Sequence, residues 1–81
     1  MTRTLIPAAP LSTFAPQDGA LEIVEIIDAE GQSKRMCELG LCPGKQVRVV
    51  RRGNPGIVQA GESRFALSAE LQQRVLVRPL G

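Results

Sequence analysis

The sequence predicts a mainly β fold, a small β-barrel of about five strands with one or two short helices. Short runs rich in Val and Ile favour strands. Closely spaced Gly and Pro residues supply the turns between these runs. Eighty-one residues form one domain, and an open sheet this small would leave exposed edges that closure into a barrel removes.

The first part of the chain predicts an arm, a helical turn and a strand. Residues 1–10 are small, apolar and proline-containing, and are predicted to form a flexible N-terminal arm before a domain at 11–81. Residues 11–14 predict a helical turn. Residues 20–27 predict the first strand. The alternation of apolar and polar residues in this strand breaks after Ile23. A β-bulge, or burial of the strand on both faces, would explain the break.

The second part predicts a helix followed by four strands. Residues 33–39 predict a short helix. Gly61 and Glu62 predict a two-residue hairpin of type II′. Ser68 is a predicted N-cap for a helical turn before the last strand. The four strands are predicted at 45–52, 57–60, 63–67 and 75–78.

The segment from the end of the predicted helix onward constrains the backbone most strongly. Gly40 fits the C′ position of a Schellman cap, because glycine enters the left-handed region at little cost. In such a cap Leu41 packs on Met36. The next four residues, C-P-G-K, fit a type II turn with Pro43 at its second and Gly44 at its third position.

Composition argues against catalysis, membrane insertion and strong nucleic-acid binding. The chain has no histidine, so the commonest general base and metal ligand is missing. No apolar run approaches the length of a membrane span. The net charge is +2, and two Phe without Trp or Tyr offer few stacking platforms. A nucleic-acid-binding barrel stays open as an alternative, with a basic strip formed by Arg48, Arg51, Arg52 and Arg64.

The two cysteines, Cys37 and Cys42, are expected to be reduced thiols in a cytoplasmic protein. Structural zinc sites usually have four ligands, and two thiols without histidine do not reach that number. We therefore predict no metal and no cofactor, with these cysteines as the only soft candidate ligands. A metal- or redox-responsive regulatory module that uses Cys37 and Cys42 is kept as an alternative function.

A protein–protein interaction module remains as the leading class. A rigid turn that carries exposed apolar residues lowers the entropy lost on binding. Leu39, Leu41 and Pro43 surround Gly40 and fit that description. For Leu39, packing into the core is favoured over exposure. For Leu41, both alternatives stay open.

Residues 34–49, K-R-M-C-E-L-G-L-C-P-G-K-Q-V-R-V, resemble the hallmark segment of the FeoA-like family. In that pattern a basic residue and a Leu or Met are followed by E-L-G or D-M-G, an aliphatic residue and x-P-G before a strand. The resemblance extends over about residues 11–79, through F-A-L at 65–67 and V-L-V at 75–77. The two cysteines are not part of the family pattern.

The resemblance implies an SH3-like domain that is a non-enzymatic cytoplasmic accessory of FeoB, the ferrous iron transporter with a GTPase domain. It would dock on FeoB and modulate GTP-linked transport or assembly. The same fold occurs in DtxR-type repressors, but 81 residues leave no room for their DNA reader. The candidate partner contacts and the glycines that shape the loop are Arg35, Leu39, Leu41 and Pro43, with Gly40 and Gly44.

Overall fold

The computed structural model describes residues 8–27 and 31–80, which form one antiparallel sheet with two short α-helices. Two 3-10 turns, Leu11–Thr13 and Pro16–Asp18, precede the main part of the sheet. The other elements are β1 (Ala9–Pro10), β2 (Leu21–Ile26), α1 (Gln32–Glu38), β3 (Gln46–Arg51), β4 (Gly56–Ala60), β5 (Ser63–Leu67), α2 (Ala69–Gln73) and β6 (Val75–Pro79).

The predicted mainly β fold is confirmed, and the sheet has one strand more than the five predicted. All five predicted strands form, and Ala9–Pro10 adds a short sixth by pairing with β6. The strand order is β1-β6-β2-β3-β4-β5, and no hydrogen bonds between β1 and β5 close the sheet into a strict barrel. Residues 1–7 of the predicted arm lie outside the described residues, so the arm stays a prediction.

The predicted irregularity in the first strand is a β-bulge. The register of β2 against β6 shifts between Ile23 and Glu25. A bulge inserts one residue and so changes which positions share a face. Leu21 and Ile23 alternate inward before the shift, and Ile26 is buried after it. The bulge therefore keeps all three aliphatic side chains in one core.

The core is almost entirely aliphatic, and most of its side chains come from the strands of the sheet. Four of its side chains are fully buried, two on β2 (Leu21 and Ile23) and two on β6 (Val75 and Val77). Helix α1 and the loop after it add Met36 and Leu41. The buried cluster is Leu11, Leu21, Ile23, Ile26, Met36, Leu41, Val47, Val49, Val58, Leu67, Val75 and Val77.

Helix α2 is capped and anchored by polar side chains. The Leu71 N–H donates to the Ser68 hydroxyl (3.1 Å), which confirms the predicted N-cap. Gln72 is buried, and its amide nitrogen donates to the carbonyl oxygens of Leu67 (2.8 Å) and Gly53 (3.1 Å). These bonds join the helix to the end of β5 and to the loop before β4. Within the described ranges, no helix is long and apolar enough to cross a membrane.

Candidate functional site

Helix α1 ends in the Schellman cap that the sequence predicts. The Leu41 N–H donates to the Met36 carbonyl oxygen (2.8 Å), and the Gly40 N–H donates to that of Cys37 (3.0 Å). These are the 6→1 and 5→2 bonds of the motif. Gly40 has φ +106°, which side chains with a Cβ rarely adopt. Met36 and Leu41 are both buried in the core cluster, as expected for this cap.

The predicted type II turn follows directly and ties the loop to the sheet. The Lys45 N–H donates to the Cys42 carbonyl oxygen (3.0 Å), and Gly44 has φ +94° at the third position. The Gly44 N–H donates to the Ile23 carbonyl oxygen (2.7 Å), and the Ile23 N–H donates to that of Lys45 (2.9 Å). The backbone after α1 is therefore held at both ends, by the helix cap and by β2.

This backbone path decides which leucine is exposed. The chain reverses at Gly40 and brings Leu41 back against Met36, so Leu41 is only 2% exposed. Leu39 precedes the reversal and is 59% exposed. The expectation that Leu39 packs into the core is therefore wrong, because Leu41 occupies the core position beside Met36.

Leu39 lies beside an apolar cleft between the end of α1 and strand β5. We call this surface the leucine cleft; its volume is about 410 Å³. Phe65 and Leu71, both half-buried, also line it. None of the described residues that line it is acidic. The lining residues are Arg35, Met36, Leu39, Leu41, Arg64, Phe65, Ala66, Leu67 and Leu71.

Three of the four predicted contact residues meet in the leucine cleft. Arg35, Leu39 and Leu41 line it, whereas Pro43 is exposed in the following turn and does not line it. The residues of β5 and α2 that line the cleft were not predicted as part of the site. The alternation of Phe65 and Leu67 predicts a strand with one apolar face, but no local signal places that strand beside α1.

The free edge of β5 borders the leucine cleft. Strand β5 pairs with β4 on one side, and no strand among the described residues pairs with its other side. The Gly61–Glu62 turn joins Ala60 and Ser63 directly, which makes them a hydrogen-bonded pair. Alternation along antiparallel strands then directs the backbone N–H and C=O groups of Arg64 and Ala66 away from β4. These groups are available to an added strand.

Cys37 and Cys42 form a disulfide across the loop, with their Cα atoms 4.4 Å apart. The expectation of reduced thiols is therefore wrong, because the helix cap folds the chain back and brings the two cysteines together. Their sulfurs are bonded to each other and are not thiolate ligands in this state. The described residues also hold no group of three or more His, Cys, Asp or Glu side chains that could bind a metal ion.

The predicted basic strip lies apart from most of the leucine cleft. Arg48, Arg51 and Arg52 are exposed on or just after β3. Arg64 is the member that reaches the cleft, and its Nε donates to the Gln59 side-chain oxygen (3.3 Å). The only two aromatic residues of the chain, Phe14 and Phe65, are packed against the core cluster. The nucleic-acid alternative stays a prediction.

Comparison with known proteins identifies a family and a fold. The FeoA domain family matches residues 10–79. No curated protein matches the sequence. A crystal structure described as iron uptake regulatory protein (FeoA) is 32% identical, with a TM-score of 0.77, and the match covers 91% of this chain and 100% of that one.

Two further structures are similar to this chain. Stenotrophomonas maltophilia FeoA, described as a prokaryotic SH3 domain protein complexed with zinc, is 32% identical, with a TM-score of 0.60. That match covers 72% of this chain and 78% of the other. T. acidophilum IdeR is 14% identical, with a TM-score of 0.81, and the match covers 98% of this chain and 37% of the other. At this identity the similarity shows only that the two chains share a fold. The predicted SH3-like fold is confirmed.

Proposed function

The chain belongs to the FeoA family, and on this basis we propose that it is a non-enzymatic accessory of a FeoB-type ferrous iron transporter. It docks on the cytoplasmic side of the transporter and modulates GTP-linked transport or assembly. We propose no catalytic activity for the chain itself, which contains no histidine. Family membership supports a role in ferrous iron transport, and the docking itself is our proposal.

The observation that carries this proposal is an exposed leucine on a rigid loop beside an apolar cleft. Leu39 is 59% exposed, while the backbone on either side of it is fixed by the helix cap and the type II turn. A preordered backbone reduces the conformational entropy that is lost when a partner binds. An exposed leucine at a concave apolar surface is also typical of a contact site between proteins.

The free edge of β5 suggests how the partner docks. An extended segment of the transporter adds as a strand beside Arg64 and Ala66, and its backbone pairs with their outward N–H and C=O groups. An apolar side chain of that segment enters the leucine cleft. Arg35 and Arg64 are both exposed and no acidic residue lines the cleft, so this surface favours a segment with acidic flanks.

Calorimetric titration with the purified cytoplasmic part of the host's FeoB-type transporter tests the proposal. Burying the exposed part of Leu39 contributes about 1–2 kcal/mol, so Leu39→Ala should raise Kd roughly fivefold to thirtyfold. Leu80→Ala is the matched control, because Leu80 is 42% exposed but does not line the cleft. Absence of binding by the unmodified chain contradicts the proposal, as does equal loss of affinity in both variants.

A further inference from the structure

We propose that the Cys37–Cys42 disulfide is a thiol–disulfide exchange site for dithiol reductants, and that its redox state sets the order of the loop that carries Leu39. The bond closes a ring around residues 38–41, which include Leu39 and Leu41 beside the leucine cleft. The consequence for docking rests on the function proposed above. The exchange reaction and its effect on the loop do not depend on that function.

The position of the disulfide argues against a purely structural role. Both cysteines lie outside the buried core cluster, and the domain core closes without them. A disulfide stabilises a fold mainly by closing a long loop, whereas this one joins residues only five positions apart. In reducing compartments, the disulfides that do form are usually transient or redox-sensing. The cysteines therefore constrain the loop locally and contribute less to holding the domain together.

Exposure determines which sulfur a reductant reaches. Cys37 is exposed on the last turn of α1, whereas Cys42 is half-buried. A dithiol, as its thiolate, attacks the Cys37 sulfur and forms a mixed disulfide, and Cys42 leaves as a thiolate and takes up a proton. The second thiol of the reductant then displaces Cys37 and closes the reductant's own disulfide. In total, two electrons and two protons pass from the dithiol to the cysteines.

Reduction should loosen the loop without unfolding it. The hydrogen bonds from Leu41 to Met36 and from Gly44 to Ile23 do not involve sulfur and persist after the disulfide opens. Leu39 has no place in the buried core cluster, so its position depends on the backbone that the ring constrains. When the ring opens, Leu39 and Gly40, which lie before the persisting bond of Leu41, regain conformational freedom that a partner must remove again on binding.

The experiment compares the oxidised chain with the chain reduced by dithiothreitol. Mass spectrometry after alkylation should find two modified thiols per chain only in the reduced sample. Backbone ¹⁵N relaxation should show that order parameters at Leu39 and Gly40 fall from about 0.85 toward 0.6, while those of Leu41 and the strands are unchanged. Binding to the purified cytoplasmic part of the FeoB-type transporter should weaken about threefold to tenfold on reduction.

A double variant, Cys37→Ser with Cys42→Ser, is the matched control. It should show the relaxation and affinity of the reduced chain whether or not dithiothreitol is present. A disulfide that resists dithiothreitol in the folded chain overturns the proposal, as do unchanged order parameters after full reduction. If the loop loosens but neither redox state binds the transporter, the exchange site is supported and the proposed docking function fails.

Discussion

A side chain at position 40 should destabilise the domain through backbone strain and not through a steric clash. Gly40 has φ +106°, and a Cβ placed there would meet no atom within 4 Å. The cost of Gly40→Ala is therefore that of holding an L-residue in a conformation it rarely adopts. Such residues cost about 1–3 kcal/mol, with alanine near the lower end and the β-branched valine near the upper end.

The expected size of the effect is measurable in a domain this small. We expect Gly40→Ala to lower the free energy of unfolding by about 1–2 kcal/mol and Gly40→Val by about 2–3 kcal/mol. For a domain of this length, each kcal/mol lowers Tm by about 4–8 °C. Urea titration and thermal unfolding followed by circular dichroism, with the disulfide kept oxidised, measure both quantities.

A D-alanine at position 40 separates strain from every other effect of an added methyl group. D-residues favour positive φ, so this chain should match or exceed the stability of the unmodified one. The chain with D-alanine at position 40 can be made by chemical ligation of two peptides at Cys42. Equal losses for the L- and D-alanine chains would refute the strain argument. An unchanged urea midpoint for Gly40→Val would refute the cap assignment itself.

Two further predictions concern the sheet and its support. A Cβ at Gly56 would lie 2.8 Å from the amide nitrogen of Gln72, so Gly56→Ala should displace that side chain from its hydrogen bonds and cost about 1–3 kcal/mol in urea titrations. In a chain that already carries Gln72→Ala, Gly56→Ala should lower the free energy of unfolding clearly less. An equal loss in both backgrounds would exclude this mechanism. The Arg78–Glu22 ion pair (2.6 Å) spans β6 and β2 near the surface, and a double-mutant cycle with Arg78→Ala and Glu22→Ala should give a coupling of about 0.2–1 kcal/mol. A coupling energy of about 2 kcal/mol or more would contradict the assumption that solvent screens this ion pair.

Local signals predicted most of the fold and the shape of the loop. The Schellman cap at Gly40 and the type II turn at Gly44 depend on residues next to them in sequence, so glycine and proline spacing is enough to predict both. The bulge after Ile23 is also visible as a break in alternation. The two-residue turn at Gly61 predicts the register of β4 and β5 in the same way.

Features that depend on distant contacts were not predictable. Ala9–Pro10 has no periodicity and becomes a strand only because β6 lies beside it. Met36 and Leu39 share a helical face by spacing, but the reversal at Gly40 gives the core position to Leu41. The spacing of the two cysteines allows them to approach but does not determine their redox state.

The position of β6 in the sheet affects how the chain acquires its fold during synthesis. Val75–Pro79 leaves the ribosome after every other strand that the structure describes, yet it lies between β1 and β2 and pairs Pro79 with Leu21. Strands β2 to β5 pair in chain order and can form earlier, whereas β1 and the second edge of β2 wait for β6, which is synthesised more than fifty residues after Leu21. Until then the edge of β2 that pairs with β6 is unpaired, so the nascent chain carries an exposed strand edge that is prone to mispairing.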